Sequence, residues 1–409
     1  MRFFYVQTPV YSSSVGKYYI KARITIPKLS FVQFYFSWGV GHLHKKVGIP
    51  RGLLYYKFKP FWEIFFTELG AEIIVSDPTN KRILDDGVKV CVDEACLPIK
   101  LFCGHVLNIA DRVDYILVPR FTSISKGEYI CPEFGGLPDM IRHTLKGLPV
   151  LIDTEVNMRK SKRGGIKAAI DTAAIIGAGR RAACAAYKHA LSSLKCEEWG
   201  DVSSEVRTDE KWGDVSSECG GWRDVPCIGP GKSQESRETS PMRETSPLKS
   251  PLKVAVIGHP YNIYDKYISM DLLNKLEKYG AEVMTIEKVR AEDINRQASR
   301  LAKPMFWYYG RNAYGAAAHL AGTGKVEGII CVTSFGCGID SFINDLTERR
   351  IRRQSDIPLI TMTIDEHSGE AGFNTRLEAF IDMLYWRRLH ENNISTPWEH
   401  LYHCQIDIR

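Results

Sequence analysis

The sequence predicts an α/β protein: two Rossmann-like, doubly wound domains with a disordered insertion between them. Three observations carry this. Short apolar runs rich in Val and Ile alternate with longer segments of helical period, both before and after the middle of the chain. Gly or Pro punctuates these runs, as at Pro50, Gly70, Pro119 and Gly280. Residues 196–252 break the pattern, being rich in Ser, Glu, Gly and Pro with no buried period.

In chain order, residues 1–45 mix β-branched and aromatic residues with scattered Lys and Ser, and match no clear fold. The first domain spans 46–195. KVGIP is a short strand, and LLYYKFKPFWEIFFTELG an amphipathic helix stopped at Gly70. AEIIVS is the next strand, CVDEACLPIKLFCGHVLNIAD a turn followed by a helix, and DYILVPRF and LPVLIDTEV two further strands. In the insertion, WGDVSSE and ETSP each occur twice, too few copies to stack a repeat core. The second domain spans 253–409. It opens with the strand and turn KVAVIGHPYNIYD, then a helix, MDLLNKLEKYG, stopped at Gly280. The strands AEVMTIE, VEGIICVTSFGCG and IPLITMTID follow, and TRLEAFIDMLYWRRL is the closing helix.

Composition narrows the function classes. With 44% hydrophobic and 25% charged residues, the 409-residue chain has the balance of a globular protein. A net charge of +6 spread over this length gives no reason to expect a nucleic-acid partner. No run of 18 apolar residues exists, so no membrane-spanning helix is expected; residues 31–40 are apolar but too short. The 11 cysteines are odd in number and lack the spacing of a secreted disulfide scaffold. A reducing, cytoplasmic location is therefore expected.

The cysteines carry the chemistry. Cys96 lies in a turn before a helix, Cys131 in the loop GEYICPEFGG, and Cys337 in the turn after the strand GIICV. Open α/β sheets bind ligands beyond the carboxyl ends of their strands. Thiolates from three separate loops suit a soft metal or an iron–sulfur cluster. Zinc is the rival metal, weakened because no paired C-x-x-C knuckle is present. Cys91 and Cys103 are alternate ligands, whereas Cys331, amid Ile and Val, reads as a buried core residue.

Other motifs weigh less. GPGKS at 229–233 lacks the leading Gly of a phosphate loop, since position 226 is Pro226. The run from Glu348 to Arg353 reads as a solvated helix face. His259, in IGHPYN, reads as a turn residue that could line the cleft. Glu94, Lys100 and Glu133 stand near the cysteines, and Asp365, Glu366 and Glu370 follow the last strand. Capping and solvation explain these as well as proton relay does; Glu366 is kept as a cleft residue.

Several segments in order carry a family resemblance: KVGIPRGLLYYKFKPFWEIFFTELG, DEACLPIKLFCGH, YILVPRFTSISKGEYICPEFGGLPDMI and TRLEAFIDML. Together they resemble the acyl-CoA dehydratase activase-related proteins, relatives of the 2-hydroxyacyl-CoA dehydratase subunits. The resemblance covers about 47–195 and 252–390 and fails over the N-terminal extension and the insertion. It implies a [4Fe-4S] cluster held by cysteines from two Rossmann-like domains, here at Cys96, Cys131 and Cys337. It also implies an activator ATPase that delivers low-potential electrons, and allows a homologous subunit or a homodimer. Two functions follow as expectations. In one, the cluster passes single electrons to an acyl-CoA or a similar substrate, and the resulting ketyl-type radical anion expels a poor leaving group. In the other, the protein is a non-catalytic electron-transfer or assembly module docked on the ATPase. An open iron site favours the first and a fourth protein ligand the second.

Overall fold

The structure, a computed structural model, describes residues 45–196 and 250–391. The N-terminal extension and the low-complexity insertion lie almost wholly outside the described residues.

Two four-stranded parallel sheets form the frame. In the first, the spatial order is β2-β1-β3-β5, from β1 (Lys46–Ile49), β2 (Glu72–Val75), β3 (Tyr115–Leu117) and β5 (Val150–Ile152). Past Pro119 and Asp153 the chain pairs again as β4 (Arg120–Ser123) with β6 (Glu155–Asn157). In the second sheet the order is β8-β7-β9-β10, from β7 (Leu252–Gly258), β8 (Ala281–Thr285), β9 (Gly328–Ser334) and β10 (Leu359–Ile364). The two orders are the same winding, so both regions are Rossmann-like and repeat one architecture, as the alternating pattern predicts. Every residue of β9 is buried, the mark of a central parallel strand covered on both faces.

Helices connect the strands. In the first region they are α1 (Tyr55–Glu68), α2 (Lys81–Val90), α3 (Leu97–Ile109), α4 (Pro132–Thr144), α5 (Arg163–Ile175) and α6 (Arg180–Cys196). In the second they are α7 (Pro260–Ile263), α8 (Leu272–Lys278), α9 (Ala291–Ala298), α10 (Tyr308–Gly322), α11 (Gly338–Gln354) and α12 (Glu370–Glu391). Gly70 and Gly280 end α1 and α8 with φ of +76°, the left-handed stop expected of them. Asn80 caps α2 by accepting from the Ile83 backbone N–H at 3.1 Å.

Both sheets belong to one compact unit. Leu84, Leu97 and Leu101 of α2 and α3 are buried in the same core cluster as Val254, Val256, Ile330 and Met362 of the second sheet. Fully burying side chains of this size contributes roughly 1.5–3 kcal/mol each, so α3 acts as a hydrophobic wedge shared by both regions. Polar contacts add to the joint. Lys100 donates to Glu366 at 2.8 Å, Arg311 pairs with Glu128, and the backbone at Tyr129 exchanges two 2.8 Å hydrogen bonds with Phe306 and Tyr308. No described helix is long and apolar enough to cross a membrane.

Candidate metal centre

Cys96, Cys131 and Cys337 line one pocket, although they come from widely separated parts of the chain. Each is the N-cap of a helix: Cys96 of α3, Cys131 of α4 and Cys337 of α11. The first-turn N–H groups of a helix lack internal partners and carry the positive end of its dipole. Three such ends border the same space, and their positive poles work in favour of an anionic group there, against the burial that keeps the thiols protonated. Pro132 follows Cys131 directly and Pro98 sits one residue beyond Leu97; proline is pre-shaped for a first helical turn.

Local backbone brings the sulfurs in. Gly336 has φ of +83°, and a Cβ built on it would stand 3.2 Å from the Cys96 Cα. Only glycine takes this turn without strain while letting the end of β9 press against the start of α3. Leu53, in the turn after β1, also lines the pocket and is a left-handed non-glycine residue with φ of 51°. Strain of this kind gathers at ligand sites.

His259 and Glu133 line the pocket with the three cysteines. His259 follows β7, and Cys337 follows β9; these central strands are paired, with Gly258 opposite Val332. The strand order reverses at this point, and there open α/β sheets place their ligands. His259 Nε2 lies 2.8 Å from Asp340 Oδ1, and its ring stacks on Tyr261 at 4.8 Å. One ligand atom from each of His259, Cys337 and Asp340 lies within 4.8 Å of the others, a spacing that can hold a metal ion. Burial opposes the imidazolium, but the charge and hydrogen bond of Asp340, followed by those of Cys337, outweigh it and raise the His259 pKa to about 10.

The remaining electrostatics are acidic near the sulfurs and basic behind the aromatic wall. Cys96 Sγ donates to Glu133 Oε2 at 3.1 Å. Burial first, then the charge and hydrogen bond of Glu133, hold the Cys96 thiol far above the usual thiol range. Burial also raises Cys131, to about 11. On the other side, Lys57 Nζ donates to the Tyr308 hydroxyl at 3.1 Å and lies 4.7 Å from that ring's centroid. Burial works against ionising Tyr308, yet Lys57, Asn312 and Arg311 together bring its pKa below the ordinary phenol value.

The other sequence candidates lie elsewhere. Cys91 and Cys103 are buried, free and packed in the core of the first region, outside the pocket lining. Glu366 also stands outside the lining and is taken up by Lys100. Glu94 is exposed, Asp365 accepts from Ser368 within its own turn, and Glu370 pairs with Lys275. Cys331 is buried in β9, as expected. His259 belongs to the pocket rather than to an ordinary turn. Its signal was present in the sequence, since His259-Pro260 after a buried strand repeats the Cys131-Pro132 arrangement. Asp340 and the aromatic wall of Tyr129, Tyr261, Trp307, Tyr308 and Tyr309 carry no sequence signal of their own.

The donor set fits a thiophilic metal group: three cysteine sulfurs and one imidazole, beside the Glu133 carboxylate, with His259 Nδ1 buried and without a hydrogen-bond partner among the described residues. Residues 46–289 match a protein family described as "CoA enzyme activase uncharacterised domain". No curated protein matches the chain.

Proposed function

The chain belongs to the CoA enzyme activase uncharacterised domain family, and from that premise we propose that it is an iron–sulfur protein whose Cys96, Cys131 and Cys337 hold a [4Fe-4S]-type cluster. The cluster serves one-electron reduction of an acyl-CoA or a similar substrate, with electrons supplied by an activator ATPase of the acyl-CoA dehydratase type. A homologous subunit or a second copy of the chain completes the assembly, in the reducing cytoplasm. The observation that carries this reading is the placement of three cysteine N-caps, from three helices, around one pocket.

When bound, the cluster supplies single electrons at low potential. The chain's own residues do the rest. Glu133 accepts the Cys96 thiol proton when the sulfur becomes a ligand, because its Oε2 already accepts the thiol's hydrogen bond at an S···O distance of 3.1 Å. The three helix ends favour the thiolate forms, each by about 0.3–1 kcal/mol. Tyr129, Tyr261 and Trp307 wall the pocket beside the sulfurs. Lys57, held at Tyr308, offsets negative charge from behind the wall. A second reading, an electron-transfer or assembly module docked on the ATPase, is favoured by His259, which lines the same pocket as the three cysteines and could supply a fourth protein ligand.

The test is anaerobic purification followed by iron and acid-labile sulfide counts and low-temperature EPR after reduction. Near four irons and four sulfides per chain supports the proposal. A protein that takes up neither, even after reconstitution with iron and sulfide, overturns it.

A further inference from the structure

We infer that His259 is the fourth protein ligand of this centre, binding through Nδ1, and that Asp340 is the positioning residue that fixes its ring. The inference rests on the cluster proposed above and favours the second reading of its use.

The ring nitrogens divide cleanly. Nε2 lies 2.8 Å from Asp340 Oδ1, and Asp340 Oδ2 in turn accepts from the Thr333 hydroxyl at 3.4 Å. Nδ1 is buried and, among the described residues, has no partner at hydrogen-bond distance, while Cys337 stands close enough to the ring to influence its charge. A buried polar atom left unpaired costs on the order of 1–3 kcal/mol, and such atoms are scarce in folded proteins. With Nε2–H given to the carboxylate, Nδ1 is the nitrogen left for a metal, which binds it by displacing its proton; metal-binding histidines are held in this way. The ring cannot swing aside to find another partner. It stacks on Tyr261 with an interplanar angle of 8°, and Tyr309 meets it edge-on at 5.0 Å.

Position makes the same point. His259 and Cys337 leave neighbouring strands side by side, and the His259, Cys337 and Asp340 ligand atoms fall within 4.8 Å of each other. Asp340 is occupied by His259 and Thr333, which suits a residue that orients a ligand. Four protein ligands leave no open iron in the resting centre. An imidazole in place of a fourth thiolate also removes one negative charge, which raises the reduction potential. The centre then works as a relay of electrons, and a substrate reaches iron only by displacing His259.

The test labels the full-length protein with ¹⁵N-histidine, reconstitutes it anaerobically with iron and sulfide, and records pulsed EPR of the reduced centre. The expected result is a directly coordinated ¹⁵N coupling in the wild type. In His259→Cys the coupling is lost, iron is retained and the midpoint potential shifts downward. A loaded cluster with no histidine nitrogen coupling overturns the inference and leaves the cluster proposal standing. Coupling that persists in His259→Cys assigns the nitrogen elsewhere and also overturns it. A chain that loads no cluster at all sinks both. The wild-type measurement decides even where the variant fails to fold.

Discussion

Gly336 faces Cys96 across the joint between the two regions with no room for a side chain: a methyl group at Gly336 would stand 3.2 Å from the Cys96 Cα, closer than ordinary van der Waals contact, at a φ of +83°. The turn after β9 therefore touches the start of α3 only because no side chain intervenes. Gly336→Ala should cost about 1–2 kcal/mol from the left-handed backbone alone and should push Cys337 away from Cys96. Iron content is expected to fall more steeply than the melting temperature. Full iron loading in this variant would show that the turn has slack the geometry denies.

Lys100 and Glu366 join α3 to the segment after β10, with side chains 7% and 19% exposed. The Lys100 hydrogen bond holds the Glu366 carboxyl below its usual range. Removing one partner leaves a poorly solvated charge, so Lys100→Met should cost on the order of 3 kcal/mol. Lys100→Met with Glu366→Gln should recover part of that loss. Chemical denaturation of the single and double variants gives the coupling; additive losses would mean that the pair contributes nothing.

His105 is wholly buried between Ser76 and Thr79, at 2.9 Å and 3.0 Å from its two ring nitrogens. Burial, reinforced by Arg51 and opposed by Asp77, lowers its pKa to about 3. Thr79 also donates to Asp265, which accepts from Tyr56, so the site is built for a neutral ring. Below the unfolded pKa of about 6.5 the unfolded chain binds the extra proton, and stability falls with pH by about 1.4 kcal/mol per unit. The contribution is complete above pH 6.5 and is lost as pH drops toward 3. His105→Gln should flatten the acid limb of stability against pH relative to the wild type. An unchanged slope would place the titration elsewhere.

Cys91→Ala and Cys103→Ala should keep wild-type iron and lose only stability, about 1 kcal/mol each. The two cysteines are free, pack in the same core cluster and do not border the pocket. Iron loss in either variant would make this pair, and not His259, the source of a fourth ligand.

Much of the frame is legible in the sequence because parallel strands buried on both faces leave unmistakable runs. GIICV, KVAVIG and LITMTI each become a strand at the position read for them. Cys131 and Cys337 stand out because each follows such a run beside Pro or Gly. Cys96 is harder: it follows α2 rather than a strand, and reaches the pocket because Gly336 permits the approach. His259 carries a cysteine-like signal but has no histidine at metal-ligand spacing, so by itself it resembles a turn residue. Asp340 sits in the first turn of α11, where an acidic residue is ordinary. Its meaning appears only when β7 and β9 are seen to lie side by side. The aromatic wall is likewise a product of tertiary folding, since Tyr129 meets Trp307 through a bridge across the joint.

The most direct test of the account is the iron and acid-labile sulfide content of Cys96→Ser, Cys131→Ser and Cys337→Ser, each reconstituted anaerobically beside the wild type. The account predicts a loaded wild type and a loss of iron in all three variants, with circular dichroism unchanged. Full iron retention in any one of them would remove that cysteine from the ligand set and contradict a cluster shared by the three helix ends.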